Sequence, residues 1–314
     1  MKAFANVVLA MAVTTASPSP AKPAKCALAR GITAAEGART LCGFDMRSKR
    51  FAGTSVEQAR CLTRHVGRGA VIGATELPDG LAALVGRPTG VGADQLSRYA
   101  AAHSLLPQEL GGPLGRQIAA DYFIIHDTSY PNCSSRDASR LLCPVANEFP
   151  AVRDEVNWPA NRNFEGRPRA APNRIANVFT NRVGGSITEV DFAEPFYTTK
   201  FEQCEGGGAP TGAFVGVENV QPRLTYPRPT PPGRRINDAQ GPEPGFPRAQ
   251  YSRLALLYVV ASARRGVWLV PAYHAVIDSY YYDRHDDPQK FDVAAFDAAV
   301  SEQVQRIMAM PARP

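Results

Sequence analysis

Imidazole and carboxylate side chains, which are the usual ligands of a catalytic zinc ion, are concentrated in residues 270–291 (VPAYHAVIDSYYYDRHDDPQKF). The side chains of this type that we single out are His274, His285, Asp286 and Asp287. A segment of this kind can start a zinc site, but a catalytic site needs three protein ligands and an open position for water. We therefore expect a further ligand from a distant part of the chain, and His126 is the best candidate.

His126 stands at the end of a predicted strand. The apolar run at residues 122–125 (YFII) contains β-branched and aromatic residues and predicts a buried central strand. The polar cluster HDTS begins where this strand ends, and α/β proteins usually place their chemistry at that point. Ser129 would allow a serine hydrolase, but no G-x-S-x-G motif surrounds it, so we interpret residues 127–129 as shaping the turn.

Further strands follow in the middle of the chain. A Gly-Gly pair between the apolar runs at residues 175–182 and 186–192 predicts a hairpin. Residues 211–217 (TGAFVGV) predict another buried strand, which ends at Glu218. Residues 221–249 form a long loop rich in proline and glycine, which is either one wall of a substrate groove or a passive insertion.

Helices are predicted where apolar residues recur at helical spacing. They span residues 55–66, 80–86, 94–103, 250–265 and the stretch capped by Asp292. The first three belong to a small helical unit at residues 26–106, to which the sequence assigns no role. The helix at 250–265 is apolar nearly all the way round, so we expect it to be buried.

The motifs YFIIHDTS, GVEN and H-x10-H-D-D-P, in this order, resemble the zinc-dependent N-acetylmuramoyl-L-alanine amidase family, the type 2 amidase or peptidoglycan recognition protein superfamily. The resemblance covers about residues 117–310, from which we predict a catalytic domain at residues 116–310, and leaves the helical unit at 26–106 outside. It implies an α/β fold, in which helices flank a mixed central β-sheet and zinc lies in a groove above the strand ends.

The resemblance also implies a ligand set. His126 corresponds to the first zinc ligand, His274 to the second, and Asp287, directly before a proline, to the third. Considered from the residues alone, Asp287 could instead cap a turn before that proline. In that case Asp286 or Asp283 would supply the carboxylate ligand.

Two further residues receive catalytic roles from the resemblance. Glu218 corresponds to the acidic residue that activates the attacking water, and a carboxylate can take a proton from water and pass it to a leaving amine. His285 stands where many family members have a lysine that supports the developing oxyanion. This is a departure, because a neutral histidine offers one N–H and only its protonated form is a cation.

The activity that the resemblance implies is hydrolysis of the amide between N-acetylmuramic acid and the L-alanine of the stem peptide in peptidoglycan, with zinc as the cofactor. One alternative is a peptidoglycan-binding protein that keeps the fold without turnover, and its signature would be loss of a ligand or of the base. A second alternative is a zinc amidase that acts on a different amide.

The start of the chain predicts export. Lys2 precedes an apolar stretch at residues 3–13, and Ala16 or Ala21 offers a cleavage site, so residues 1–21 are predicted to be a signal peptide. The apolar stretch is too short to span a bilayer, and no later segment is long and apolar enough. We therefore expect a periplasmic or secreted protein without a transmembrane segment.

The charge pattern bears on the partner. The chain of 314 residues has a net charge of +6, and its lysines and arginines are scattered rather than gathered in a basic run. This pattern lacks the basic patch with interleaved aromatic residues that a nucleic-acid reader needs. A scattered positive excess suits an acidic polymer such as a cell wall.

Six cysteines in an exported chain predict disulfide bonds. They fall into an early group and a later group: Cys26, Cys42 and Cys61, then Cys133, Cys143 and Cys204. Because each group has an odd number, full pairing requires at least one bridge between the groups. If Cys133 and Cys143 pair locally, Cys204 links the later region to the first group.

Overall fold

The computed structural model describes residues 26–29, 40–67, 70–74, 76–129, 132–133, 176–205, 209–224, 241, 245–282 and 285–311. Its strands are β1 Phe44–Asp45, β2 Arg50–Phe51, β3 His65–Gly67, β4 Ala70–Gly73, β5 Tyr122–Asp127, β6 Asn132–Cys133, β7 Val178–Thr180, β8 Ser186–Thr188, β9 Phe214–Asn219, β10 Arg223–Leu224 and β11 Val270–Tyr273. Its α-helices are α1 Ser55–Leu62, α2 Asp79–Leu84, α3 Ala93–Ala102, α4 Lys200–Glu205, α5 Arg248–Arg265, α6 His274–Ile277 and α7 Val293–Met308.

Five strands form the central mixed sheet in the order β11-β5-β9-β7-β8. The pairs β11–β5, β5–β9 and β9–β7 are parallel, whereas β7 and β8 form the predicted antiparallel hairpin. Every residue of β5 and of β9 is buried, as expected for parallel strands covered on both faces. The prediction of an α/β fold with a mixed central sheet is therefore confirmed.

Alternate side chains of β5 meet different layers. Phe123 packs against Tyr258 of α5, with ring centroids 5.3 Å apart. On the other face Tyr122 meets Phe51 of β2 at 5.0 Å, and its hydroxyl donates to Gln58 of α1 at 2.9 Å. Residues from the early part of the chain thus seal one face of the sheet, and their buried side chains join the same hydrophobic core.

The two long helices agree with the sequence prediction. Helix α5 ends at Gly266, which has a φ of 85° and so closes the helix in the left-handed conformation that glycine adopts most easily. Asp292 caps α7 by accepting hydrogen bonds from the backbone N–H groups of Ala294 and Ala295. Both helices present apolar side chains to the core, as their periodicity predicts.

Shorter elements depart from the prediction. Helix α1 is capped by Thr54 and ends at Leu62 rather than continuing to residue 66, and His65 begins a small hairpin with β4. Helix α4 and strand β11 were not predicted. Strand β11 contains Pro271, which is uncommon inside a sheet except at an edge, and β11 is indeed an edge strand.

Two disulfide bonds lie within the described residues, Cys26–Cys204 and Cys42–Cys61. The expected link from Cys204 to the early cysteine group is therefore present. Cys143, the predicted signal peptide and most of the loop at 221–249 lie outside the described residues. In the part of the chain that is described, no helix combines the length and apolar character needed to cross a membrane.

Candidate metal centre

The parallel register of three neighbouring strands gathers the predicted site residues at one edge of the sheet. In the β5–β9 pair His126 lies opposite Glu218. In the β11–β5 pair Tyr273 lies opposite Ile125, so His274, the next residue, comes level with His126. The carboxyl ends of parallel strands are where α/β folds usually place ligands.

Glycine at position 216 makes room for the His126 ring. A Cβ at Gly216 would lie 3.2 Å from His126 Nε2 and 2.7 Å from the Thr198 side chain. Strand β9 therefore packs closely against both groups only because this residue has no side chain.

Asp287 reaches the same edge through the loop that follows α6. Its carbonyl accepts from the Ala275 N–H at 2.9 Å, and its Oδ2 accepts from the Asp127 N–H at 3.3 Å. The Asp127 carboxylate in turn accepts from the Gln289 N–H at 2.8 Å. The peptide bond between Asp287 and the following proline is cis. These backbone contacts hold the Asp287 carboxylate between the two histidines.

His126, His274 and Asp287 offer ligand atoms that all lie within 4.8 Å of one another, and all three residues are buried. Asp287 Oδ2 is 3.6 Å from His126 Nδ1 and 3.0 Å from His274 Nδ1. Two tetrahedral zinc ligands at ordinary bond lengths are about 3.3 Å apart. The three side chains are therefore arranged so that they could hold a metal ion, and imidazole and carboxylate donors suit zinc among other metals.

Buried polar atoms that lack a hydrogen-bond partner also support a metal site at this position. Among the described residues, both ring nitrogens of His126 and Glu218 Oε2 are buried without a hydrogen-bond partner. Buried polar atoms are rarely left unpaired. Burial, assisted by the charge of His274, lowers the pKa of His126, so its ring is held in the neutral form that binds metals.

Charges inside the site are balanced around His274. Burial opposes a charged ring, but Asp287 and Asp278 outweigh it and raise the pKa of His274 well above its usual value. Burial alone would raise the pKa of Asp287, yet His274 and the contact with His126 hold it well below its usual range. The two carboxylates, at 3.0 Å from His274 Nδ1 and 2.7 Å from Nε2, thus favour positive charge at the position between them.

Asp278 is a site residue that the sequence prediction missed. Its Oδ2 lies 2.7 Å from His274 Nε2, and both side chains are buried. Histidine ligands commonly give their second ring N–H to a carboxylate, which fixes the ring orientation and leaves the other nitrogen for the metal. The spacing of four residues on a helical turn was the available signal.

Glu218 lies beside the ligand group. Its Oε1 is 3.9 Å from His126 Nδ1, and its side chain is 11% exposed, so it borders the site without being sealed in it. Burial and the charge of Asp287 raise the pKa of Glu218 well above its usual value. A carboxyl group with a raised pKa is suited to accepting and returning a proton.

His285 covers the solvent side of the group. Its ring stacks on His274 with centroids 4.4 Å apart, and its Nδ1 is 3.6 Å from Asp287 Oδ1. The side chain is 24% exposed, more than any of the three ligand candidates. Burial, then the charge of His274, lowers the pKa of His285 to about 4, so at neutral pH the ring is an uncharged donor.

Among the described residues, Asp286 and Ser129, which were also considered from the sequence, do not join the ligand group. The Asp286 carboxylate accepts from Gln289 Nε2 at 2.7 Å, and Asp283 lies outside the described residues. Ser129 donates its backbone N–H to Asp127 Oδ1 at 2.8 Å, which fits the turn-shaping role expected of it.

Glu202, buried in α4, gives a stability test. Burial is the main cause that raises its pKa to about 7. Between about pH 4.5 and pH 7 the folded chain therefore holds a proton that the unfolded chain has lost, so stability falls as the pH rises through this window. We expect Glu202→Gln to raise the free energy of unfolding by up to about 3 kcal/mol at pH 8 and to change little near pH 4.5.

Urea unfolding of both proteins at the two pH values, without added metal, measures this difference. Glutamine can keep the existing contacts, because its carbonyl can accept from Thr198 and its amide can donate to the Thr211 hydroxyl. If Glu202→Gln raised the free energy of unfolding equally at both pH values, ionisation of Glu202 would not be the cause of the increase.

Comparisons of this chain with protein-family models, with curated proteins and with solved structures find no match.

Proposed function

We propose that this protein is an exported zinc amidase that hydrolyses the bond between N-acetylmuramic acid and L-alanine in peptidoglycan. The observation that carries the proposal is the buried convergence of His126, His274 and Asp287, with Glu218 beside them. This donor set leaves a position open for a reactant, as metal-assisted hydrolysis requires. The order of the sequence motifs, described above as a resemblance, supplies the choice of substrate.

His126, His274 and Asp287 would hold the ion, and zinc supplies Lewis acidity that polarises an amide carbonyl and makes water more acidic. Glu218 takes the proton from the attacking water and returns it to the amine that leaves. Its Oε2 is suited to this step because, among the described residues, no other group occupies it. Proton transfer by a positioned carboxylate typically contributes about 100- to 10,000-fold in rate.

His285 donates an N–H toward the oxygen on which negative charge develops. Its ring lies at the more exposed side of the ligand group, where a substrate carbonyl would enter. At neutral pH it acts as a hydrogen-bond donor rather than as a cation, because its pKa is lowered to about 4. This is the physical difference from a lysine at the same place.

Export and the wall substrate rest on the sequence together with the disulfide bonds. The two disulfides are compatible with an oxidising compartment outside the cytoplasm. The predicted signal peptide gives the route, and the net charge of +6 favours contact with an acidic wall polymer.

Metal analysis gives the first check of the proposal. Purified protein should contain about one zinc per chain, because one three-ligand group is available among the described residues. Removal of zinc with a chelator should abolish hydrolysis, and return of zinc should restore it. A folded, active protein that contains no metal would overturn the mechanism.

Digestion of purified peptidoglycan, followed by mass analysis of the soluble products, tests the substrate. Free stem peptides that begin with L-alanine are the expected result. Intact sacculi that retain the bound protein would instead identify a peptidoglycan-binding protein without turnover. Any other fragment would assign a different cleavage site.

A further inference from the structure

The beginning of the described chain contacts the segment that carries the metal ligands. Residues 26–29, named here the N-terminal strap, run antiparallel to residues 280–282. Leu28 bridges Tyr281, and backbone hydrogen bonds of 2.8 Å lie on either side of this bridge. The strap therefore holds the segment that leads from Asp278 toward His285.

The same strap is covalently joined to helix α4. Cys26 forms a disulfide with Cys204, which is the fifth residue of that helix. A second contact comes from Tyr281, whose hydroxyl donates to Glu205 Oε1 at 2.9 Å. The N-terminal strap, helix α4 and residues 280–282 are therefore each connected to the other two.

Helix α4 in turn fixes the carboxylate behind His274. Asp278 Oδ2 accepts from the Lys200 N–H at 2.9 Å, and Oδ1 accepts from the Phe201 N–H at 2.9 Å. The contact of Oδ2 with His274 Nε2, at 2.7 Å, is the third on this carboxylate. Asp278 is fully buried, so its orientation depends on α4 rather than on water.

We propose that Asp278 is a positioning residue for the metal ligand His274, and that the Cys26–Cys204 disulfide strengthens metal binding by fixing α4 against Asp278. The proposal rests on the metal centre of the proposed function and not on its substrate. In this arrangement, closing one disulfide completes the shape of the site, so the protein binds its metal most tightly after oxidation.

Zinc affinity of the folded, full chain, measured by competition with a chromophoric chelator, tests both parts. Asp278→Asn should weaken zinc binding about 10- to 100-fold, the usual effect of losing a group that orients a ligand. An amide cannot accept on both sides, so one N–H of α4 loses its partner. Asp292→Asn is the matched control and should leave zinc affinity unchanged, since asparagine caps a helix as well as aspartate.

The disulfide is tested in the same assay. Replacing Cys26 and Cys204 by serine should weaken zinc binding by about tenfold, near the lower end expected for a group that orients a ligand. The matched control replaces Cys42 and Cys61, which form the other described disulfide, and should leave zinc affinity unchanged. A variant that combines Asp278→Asn with loss of Cys26–Cys204 should bind zinc no more weakly than Asp278→Asn alone, because both changes act through the contact of Asp278 with His274.

A second measurement needs no variant and covers the case in which loss of the disulfide prevents folding. Because coupling between equilibria is reciprocal, a tenfold effect of the disulfide on zinc affinity requires bound zinc to shift the dithiol–disulfide equilibrium of Cys26–Cys204 about tenfold toward the disulfide. In a glutathione redox buffer the equilibrium of Cys42–Cys61 should not shift with zinc, and alkylation with mass analysis reads both bonds in one sample. An equal oxidised fraction of Cys26–Cys204 with and without zinc would overturn the coupling.

The outcomes separate this proposal from the proposed function. If the wild-type chain binds no zinc, the metal centre itself is wrong. If it binds zinc with the same affinity in all variants, the centre stands and the positioning role of Asp278 is wrong. If Asp278→Asn loses zinc affinity, but loss of Cys26–Cys204 leaves the affinity unchanged and zinc does not shift the equilibrium of that disulfide, only the role of the disulfide is wrong.

Discussion

Glu218→Gln is expected to lower the rate of peptidoglycan hydrolysis by about 100- to 10,000-fold while zinc stays bound. Glutamine has nearly the same size and keeps a carbonyl oxygen, but it cannot take a proton from water. Glu218 is not one of the three ligand candidates, so its replacement leaves His126, His274 and Asp287 in place. Release of stem peptides over time and zinc content per chain are the two measurements.

The matched control is Glu194→Gln, because this glutamate is 55% exposed and pairs with Arg116 away from the ligand group. Its hydrolysis rate should stay close to that of the wild-type chain. Undiminished hydrolysis in Glu218→Gln would exclude Glu218 as the proton acceptor. Loss of zinc from that variant would instead show that its carboxylate is a ligand.

Arg264→Ala is expected to lower the free energy of unfolding by about 3–5 kcal/mol, the usual cost of breaking a buried ion pair. The Arg264 side chain is fully buried and donates to the carbonyls of Arg116 and Gly111 and to Asp191. Alanine would remove one donor from each of these three acceptors at the end of helix α5, and Asp191 would keep only its pair with the more exposed Arg116 and the Ala193 N–H. Urea unfolding followed by circular dichroism measures the loss.

The neighbouring residue provides the control for this prediction. Arg265 is 35% exposed and pairs with Asp121 at 3.0 Å, so Arg265→Ala should cost less than about 1 kcal/mol. Similar losses in both variants would contradict the view that burial, rather than charge alone, makes Arg264 important. Arg264 lies at the opposite end of β5 from His126, as its contacts with residues 111–116 show.

The parts that could be predicted from sequence are those in which a local pattern coincides with the tertiary role. His126 and Glu218 each stand at or near the end of a strongly apolar strand, so their place at one sheet edge follows from parallel pairing. The helix at 250–265 and the cap at Asp292 could also be predicted, because apolar periodicity and helix capping are local sequence signals.

What could not be predicted depends on contacts between distant segments. The four-residue spacing from His274 is a local signal for Asp278, but two N–H groups from the first turn of α4 also hold its carboxylate, and no local pattern predicts that contact. Helix α4 has only six residues, which are too few for a clear periodic pattern. Strand β11, which places His274 level with His126, contains Pro271, and a proline argues against predicting a strand. Short elements of this kind are stabilised by packing rather than by intrinsic propensity.

Aromatic side chains from the early part of the chain cover one face of the central sheet, so the early region and residues 116–310 depend on each other. Phe44 and Phe51, from the early region, cover Tyr122 and Phe214 of the central sheet. Residues 116–310 without that cover would present large apolar rings to water, which favours aggregation. Gene fusion or domain shuffling could therefore not transfer residues 116–310 as an independent module, and the two regions would have to be inherited together.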